Sequence, residues 1–369
     1  MSSAATQEGT KRYAEKFQGA AAEGHFRQAE TLTISSLGIG TYLGQPSESA
    51  DASYTAAIVA AVESGVNLID TAINYRLQRS ERSIGTALKV LAKKGISRDE
   101  IVVCTKGGYL TPDGSMPTDP NRYFFEEYLH RSVFTTKDIA AGSHCMTPRF
   151  LENQLGRSLK NLQVECIDVY YLHNPETQLS DVSPAEFLKR VREAFAFLES
   201  AVSRNQIQYY GMATWNGFRQ EKGARDLMQL PQLVDIAKEI AGEKHHFRFV
   251  QLPFNLAMTE ALTVGNQVIH SEHKTIMEVA DELGVQLIAS ASLLQGQVAQ
   301  NLPGFVAEAL GLENDVERAL QFARSAPGIT AALVGMSRTA HVEANTRLVA
   351  VPPAGLEQFS KLFSRGGGA

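Results

Sequence analysis

Cysteine is scarce. The 369 residues hold only Cys104, Cys145 and Cys166, with no CxxC spacing and no paired framework. A disulfide-built scaffold is excluded, and a reducing, cytoplasmic setting is expected. Long hydrophobic runs are also missing. The apolar stretches are only strand length, so no membrane span is expected. Residues 1–30 are rich in Ala, Gln, Glu and Lys and lack an apolar h-region, which argues against a signal peptide. No surplus of basic charge exists: the net charge is -5, and nucleic acid is not expected as a partner. A glycine-rich GxGxxG turn is absent after the first strand-like segment, which counts against an open, doubly wound dinucleotide-binding sheet.

What is present is ordinary globular composition, 44% hydrophobic and 20% charged, long enough for one large α/β domain or two smaller ones. Strand-like and helix-like segments alternate. Strands are expected at 37–42, 66–70, 101–105, 166–172, 207–213, 247–254, 285–290 and 330–334. Helices are expected at 54–64, 79–94, 148–161, 183–203, 219–241, 273–283, 315–325 and 339–348. In the fourth helix Phe187, Val191, Phe195 and Leu198 recur at helical spacing, and Ser183-Pro184-Ala185-Glu186 opens it as a capping box. Strands apolar on both faces imply a buried parallel sheet. Eight such units imply an α/β fold of the (β/α)8 TIM-barrel type, a single domain over residues 31–350. Residues 1–30 read as an N-terminal extension, and 351–369 as a C-terminal segment with a flexible Gly-Gly-Gly-Ala end.

One stretch breaks the rhythm. Residues 107–147 form a long insertion after the third strand, crowded with Gly, Pro, Asp, Tyr and Phe. A loop this long on the C-terminal face of a barrel reads as a lid or pocket wall, with a short helix near 125–133. A surface elaboration or an oligomer contact is the alternative. His144-Cys145 lies inside it, but no metal site is expected there; His245-His246 reads as a solvated loop pair.

Four residues at or beyond strand ends carry chemistry: Asp70, Tyr75, Lys106 and His173. A free phenol, with a pKa of about 10, is a poor acid at neutral pH. A nearby ammonium lowers it, and a carboxylate holds the ammonium charged and oriented. An imidazole can hydrogen-bond a carbonyl oxygen. No nucleophile stands out, and Lys and Tyr dilute the set too far for a metal. Singly, each residue has a plainer reading: helix cap, packing, solvated charge, turn.

The motifs around these residues resemble the aldo-keto reductase family, from about Leu37 to Leu348. Asp70-Thr71-Ala72-Ile73-Asn74-Tyr75 matches its Asp-Thr-Ala-x-x-Tyr signature, Ser80-Glu81 and Gly85 the Ser-Glu-x-x-x-Gly that follows, Cys104-Thr105-Lys106 the lysine strand, and Asp168 to His173 the Asp-x-x-x-x-His strand. The resemblance implies Tyr75 as general acid, Lys106 and Asp70 as its tuning pair, and His173 as the group orienting a substrate carbonyl. It implies NADPH as cofactor, with NADH as the alternative, and direct hydride transfer to an aldehyde or ketone.

Cofactor positions follow by the same resemblance. Gly40 and Thr41 end the first strand. Gly211 to Trp215 aligns with a Gly-x-Ser-Asn-Phe/Trp element, in which Ala213 and Thr214 replace the family's Ser and Asn; Thr214 and Trp215 are carried over. Gln251 would bond the carboxamide, and Phe254 would stack on the nicotinamide. Ser290, Leu293, Gln295, Gly296 and Gln297 resemble the pyrophosphate loop. Gly335, Ser337, Arg338, His341 and Asn345 resemble the adenosine element, with Arg338 suited to a 2'-phosphate. Tyr42, Tyr109 and Asn174 would wall the substrate pocket, pointing to an apolar or aromatic carbonyl compound. The competing reading is a non-catalytic, cofactor-binding regulator on the same barrel; an isomerase or dehydratase that recycles the nicotinamide is a third.

Overall fold

The computed structural model describes residues 4–363; the expected Gly-Gly-Gly-Ala tail lies outside them. Eight parallel strands close into a barrel. They are β1 Leu37–Gly40, β2 Leu68–Asp70, β3 Val102–Gly107, β4 Ile167–His173, β5 Ile207–Ala213, β6 Phe247–Pro253, β7 Gln286–Ser290 and β8 Ile329–Gly335. The seam is β8 against β1, from Ala332↔Leu37 to Gly335↔Gly40. Eight helices follow the strands one by one: α1 Glu48–Glu63, α2 Arg79–Lys93, α3 Pro148–Leu162, α4 Pro184–Ser203, α5 Leu230–Ala241, α6 Ile276–Glu282, α7 Asp315–Ser325 and α8 Thr339–Asn345. The (β/α)8 architecture is the one expected.

Strand side chains alternate between the two faces, with period two. Leu68, Val102, Cys104, Val169, Tyr171, Phe249, Ile288 and Leu333 fill the barrel interior. Ile69, Val103, Tyr170, Leu172, Val250 and Leu252 face the helices instead. Continuing the inward parity to the strand ends places Asp70, Lys106, His173 and Gln251 over the interior. Gly38 belongs to this packing: a Cβ there would lie 2.6 Å from Leu333 and 2.9 Å from Leu68.

The opposite end of the barrel is plugged by the N-terminal extension and the residues that lead from it into β1. A helix, Gln7–Lys16, is capped by Thr6, whose Oγ1 accepts from Gly9 N. A hairpin, Phe26–Ala29 with Leu32–Ser35, puts Ala29, Leu32 and Ile34 into the interior cluster. Buried Asp168 fastens this end, accepting from the N–H groups of Ala5 and Val103, from Arg98 and from Gln208, each at 2.7 Å.

Other differences are local. The helix expected from 219 begins at Leu230, because 220–229 forms turns around Gly223, which sits at φ +89°. The helix expected from 273 begins at Ile276, behind a short hairpin, Gln267–Ile269 with Glu272–Lys274. His245 is buried, and His246 pairs with Glu199, so neither fits a freely solvated loop pair. The insertion forms a helical turn, Pro120–Phe124, that widens into Phe125–Leu129. It has its own small core of Tyr128, Val133, Phe134 and Cys145 against Phe150 of α3.

Candidate active site

The strand ends open into a cavity of about 880 Å³, a size suited to a cofactor or drug-sized ligand. Asp70, Tyr75 and His173 line its floor, and Lys106 lies buried beneath. Lys106 Nζ donates to Asp70 Oδ2 (2.6 Å) and to the Thr71 carbonyl (2.7 Å), and stands 5.0 Å from the centre of the Tyr75 ring. The rings of Tyr75 and His173 meet edge to face at 5.7 Å. All four residues expected to carry the chemistry are therefore brought together.

The electrostatics correct one expectation. Burial holds the Tyr75 phenol above its ordinary value of 10, with Lys106 pulling it down and Asp70 pushing it up. The ammonium moderates the rise and does not reverse it, so Tyr75 is fully protonated at neutral pH. Burial opposes the charge on Lys106, but Asp70 and Tyr75 outweigh it, so the amine stays above its ordinary value and cationic. Burial, with the charge of Lys106 beside it, holds His173 well below its ordinary value, so its imidazole is neutral at pH 7. Its Nδ1 is buried without a protein partner.

Tyr75 is held by an unusual piece of backbone. Arg76, Leu77 and Gln78 follow it in the left-handed region, at φ +50°, +57° and +72°. Three consecutive non-glycine residues there are strained, and the surroundings over-determine them. Arg76 pairs with Asp51 of α1 and donates to Gln45 O (3.1 Å). Gln78 donates to Pro112 O (3.0 Å), and Gly114 N donates to Leu77 O (2.8 Å).

The other expected positions divide. Gly40, Thr41, Thr214, Trp215, Gln251, Ser290, Leu293, Gln295, Gly296, Gly335, His341 and Asn345 all line the cavity, as do Tyr42, Tyr109 and Asn174. Thr214 Oγ1 is buried and unpartnered on that wall, the kind of group a ligand amide would satisfy. Gln251 Nε2 donates to Asp70 Oδ1 (2.8 Å), so it steadies the carboxylate as well as facing the cavity. Gln297, Ser337 and Arg338 are not on the cavity wall, and Arg338 is exposed at the start of α8.

Phe254 is a correction. Its side chain is fully buried and stacks on Phe322 of α7, with ring centres 5.2 Å apart and planes 12° off parallel. Three residues beyond inward-facing Gln251, it falls on the helix-facing parity and cannot cover a ligand in the barrel mouth. The wall also includes Leu43, Asn74, Ser292, Asn314, Val316 and Glu317, none of them among the expected site residues. Asn314 caps α7 through Glu317 N (3.0 Å), a cap legible in sequence, although its nearness to the cavity was not. Among the described residues no group of three or more His, Cys, Asp or Glu side chains is placed to hold a metal, and no helix is long and apolar enough to cross a membrane.

A closed eight-stranded barrel with a Lys–Asp–Tyr–His cluster at its mouth invites comparison with known proteins. The sequence model of the Aldo/keto reductase family matches residues 36–303, and the chain belongs to that family. Among curated relatives, an NADH-specific methylglyoxal reductase of Escherichia coli is 28% identical over 188 residues, 49% of each chain. A D-threo-aldose 1-dehydrogenase of Pseudomonas is 28% identical over 43% of each. The chain thus spans about half the length of the curated relatives it matches. Among solved structures, an aldo-keto reductase of Bacillus halodurans in its holo form superposes with a TM-score of 0.63 at 18% identity, covering 92% of this chain and 95% of that one. An aldo/keto reductase of Klebsiella pneumoniae in complex with NADP and acetate gives 0.61 at 18% identity, covering 93% and 96%.

Proposed function

We propose that the protein is a nicotinamide-dependent reductase that converts an aldehyde or ketone to the alcohol, with Tyr75 as general acid. The observation that carries this reading is the convergence of Tyr75, neutral His173 and the Lys106–Asp70 pair on the floor of a cavity large enough for cofactor and substrate. A bound nicotinamide would supply hydride to the carbonyl carbon. Tyr75, protonated at neutral pH, gives its proton to the developing alkoxide, and Lys106 offsets the phenolate charge that results. His173 offers an imidazole N–H to the carbonyl oxygen and fixes its angle. Asp70 holds the ammonium in place, steadied by Gln251.

NADPH is the proposed cofactor, with NADH as the alternative. Thr214 Oγ1 would meet the carboxamide, the 290–296 strap the pyrophosphate, and His341 and Asn345 the adenosine. The relatives point both ways: the Klebsiella structure is an NADP complex, and the Escherichia coli relative is named NADH-specific. Tyr42, Tyr109 and Trp215 at the mouth favour an apolar or aromatic carbonyl substrate. Three free, buried cysteines suit a reducing, cytoplasmic setting.

The test is cofactor oxidation with a panel of aldehydes and quinones. Turnover supports the reductase. Tight NADPH binding with no turnover on any carbonyl would favour a non-catalytic cofactor-binding regulator. Product formed with no net cofactor change would favour an isomerase or dehydratase.

A further inference from the structure

His144 is buried where the 107–147 segment meets the end of β4. Its Nε2 lies 2.7 Å from the backbone carbonyl of His173, and its Nδ1 lies 2.8 Å from Gln178 Nε2. Donor chemistry alone fixes the protons. Arg190 has only donors, so the atom it meets at 2.5 Å must be Gln178 Oε1. That orientation turns the Gln178 NH2 toward His144, whose Nδ1 therefore accepts. The His173 carbonyl only accepts, so His144 Nε2 carries the hydrogen. The result is one neutral tautomer, kept neutral by burial, which pushes His144 down to about 4.

Gly108 permits the approach. Its φ is +151°, and a Cβ there would lie 2.9 Å from His144 Nε2 and 3.0 Å from the His173 carbonyl. Tyr109 packs edge-on against both imidazoles, at 5.0 Å from His144 and 5.1 Å from His173. Neither His144 nor Gln178 lines the cavity, so any influence on substrate passes through other groups.

We propose that His144 is a positioning residue: the relay from Arg190 through Gln178 and His144 to the His173 carbonyl locks the insertion onto the end of β4. It thereby sets the His173 imidazole and the Tyr109 ring around the substrate carbonyl. The insertion is then a fixed wall of the pocket and not an opening lid. The catalytic part of this proposal rests on the reductase reading above.

The experiment compares wild type, His144→Phe and Gln178→Leu in steady-state carbonyl reduction, NADPH binding by fluorescence and thermal melting, with ¹⁵N imidazole NMR on the wild type. Misplacement of an orienting group should lower kcat of His144→Phe by about ten- to a hundredfold, while KM and the NADPH Kd stay within about twofold. Gln178→Leu should show the same split with a smaller loss. Wild-type kcat in a folded His144→Phe, or a Kd that weakens as much as kcat falls, overturns the proposal; should His144→Phe not fold, the same criteria apply to Gln178→Leu. A wild type that reduces no carbonyl counts against the reductase reading instead, and the relay is then judged by NMR. A neutral Nε2–H His144 at pH 7 supports it; an Nδ1–H tautomer or an imidazolium refutes it.

Discussion

At the scale of the residue, parity decides more than identity. Asp70, Lys106 and His173 lie at the ends of their strands and Gln251 near the end of its own, all on the inward face, where they meet across the barrel. The motifs that carry these residues were legible in the sequence, and so was the place of Asp70, Lys106 and His173 at strand ends. Phe254 shows the cost of reading a motif without its geometry: alternation from Gln251 already puts it on the helix side, and the structure seats it on Phe322. Phe254→Ala should therefore act on stability, costing about 3–5 kcal/mol as a buried aromatic truncation does. Chemical denaturation should detect that loss, while cofactor titration shows an almost unchanged NADPH Kd; a large loss of affinity in a protein of wild-type stability would restore the stacking role. The sign of the Tyr75 shift was not legible either, because the size of the burial effect opposing Lys106 depends on what surrounds the phenol.

At the scale of the element, the informative pieces are those whose form comes from distant contacts. The eight strand–helix units were readable because periodicity and caps are local signals, as in the Ser183 cap of α4, whose Oγ accepts from Glu186 N. The N-terminal hairpin was not, since its strands are four residues each and take their shape from the barrel end they close. The left-handed turn after Tyr75 has no local signal at all: Arg76, Leu77 and Gln78 are poor candidates for that conformation until Asp51 and the insertion hold them. Asp51→Ala removes the carboxylate partner of Arg76, whose side chain is 1% exposed. Leaving a buried guanidinium unpaired should destabilise the fold by about 3–5 kcal/mol. The freed turn should also lower kcat more than it weakens cofactor binding. Wild-type kcat in Asp51→Ala would show that the clamp does not position Tyr75.

At the scale of the molecule, buried neutral histidines give the fold an acid boundary. Burial lowers both His25 and His144 from 6.5 to about 4. Between those values the unfolded chain binds protons that the folded chain refuses, so stability falls as pH drops from about 6.5 to about 4. The full shift at either site is worth roughly 3 kcal/mol. Melting temperature should decline steeply through that window. A flat melting profile from pH 7 to 4 would contradict the buried, neutral state of both residues. The same architecture gathers the strand ends, the 290–296 strap and the start of α7 around one cavity, a convergence that sequence spacing alone does not reveal.

The central claim is that Tyr75 delivers the proton in carbonyl reduction, and Tyr75→Phe tests it most directly. The substitution keeps the ring that packs against Tyr42 and His173 and removes only the hydroxyl. NADPH oxidation by an aldehyde that the wild type reduces should fall by at least about a hundredfold, the scale of a lost general acid, while NADPH binding measured by fluorescence stays near wild type. Near-normal turnover in that variant would contradict the account.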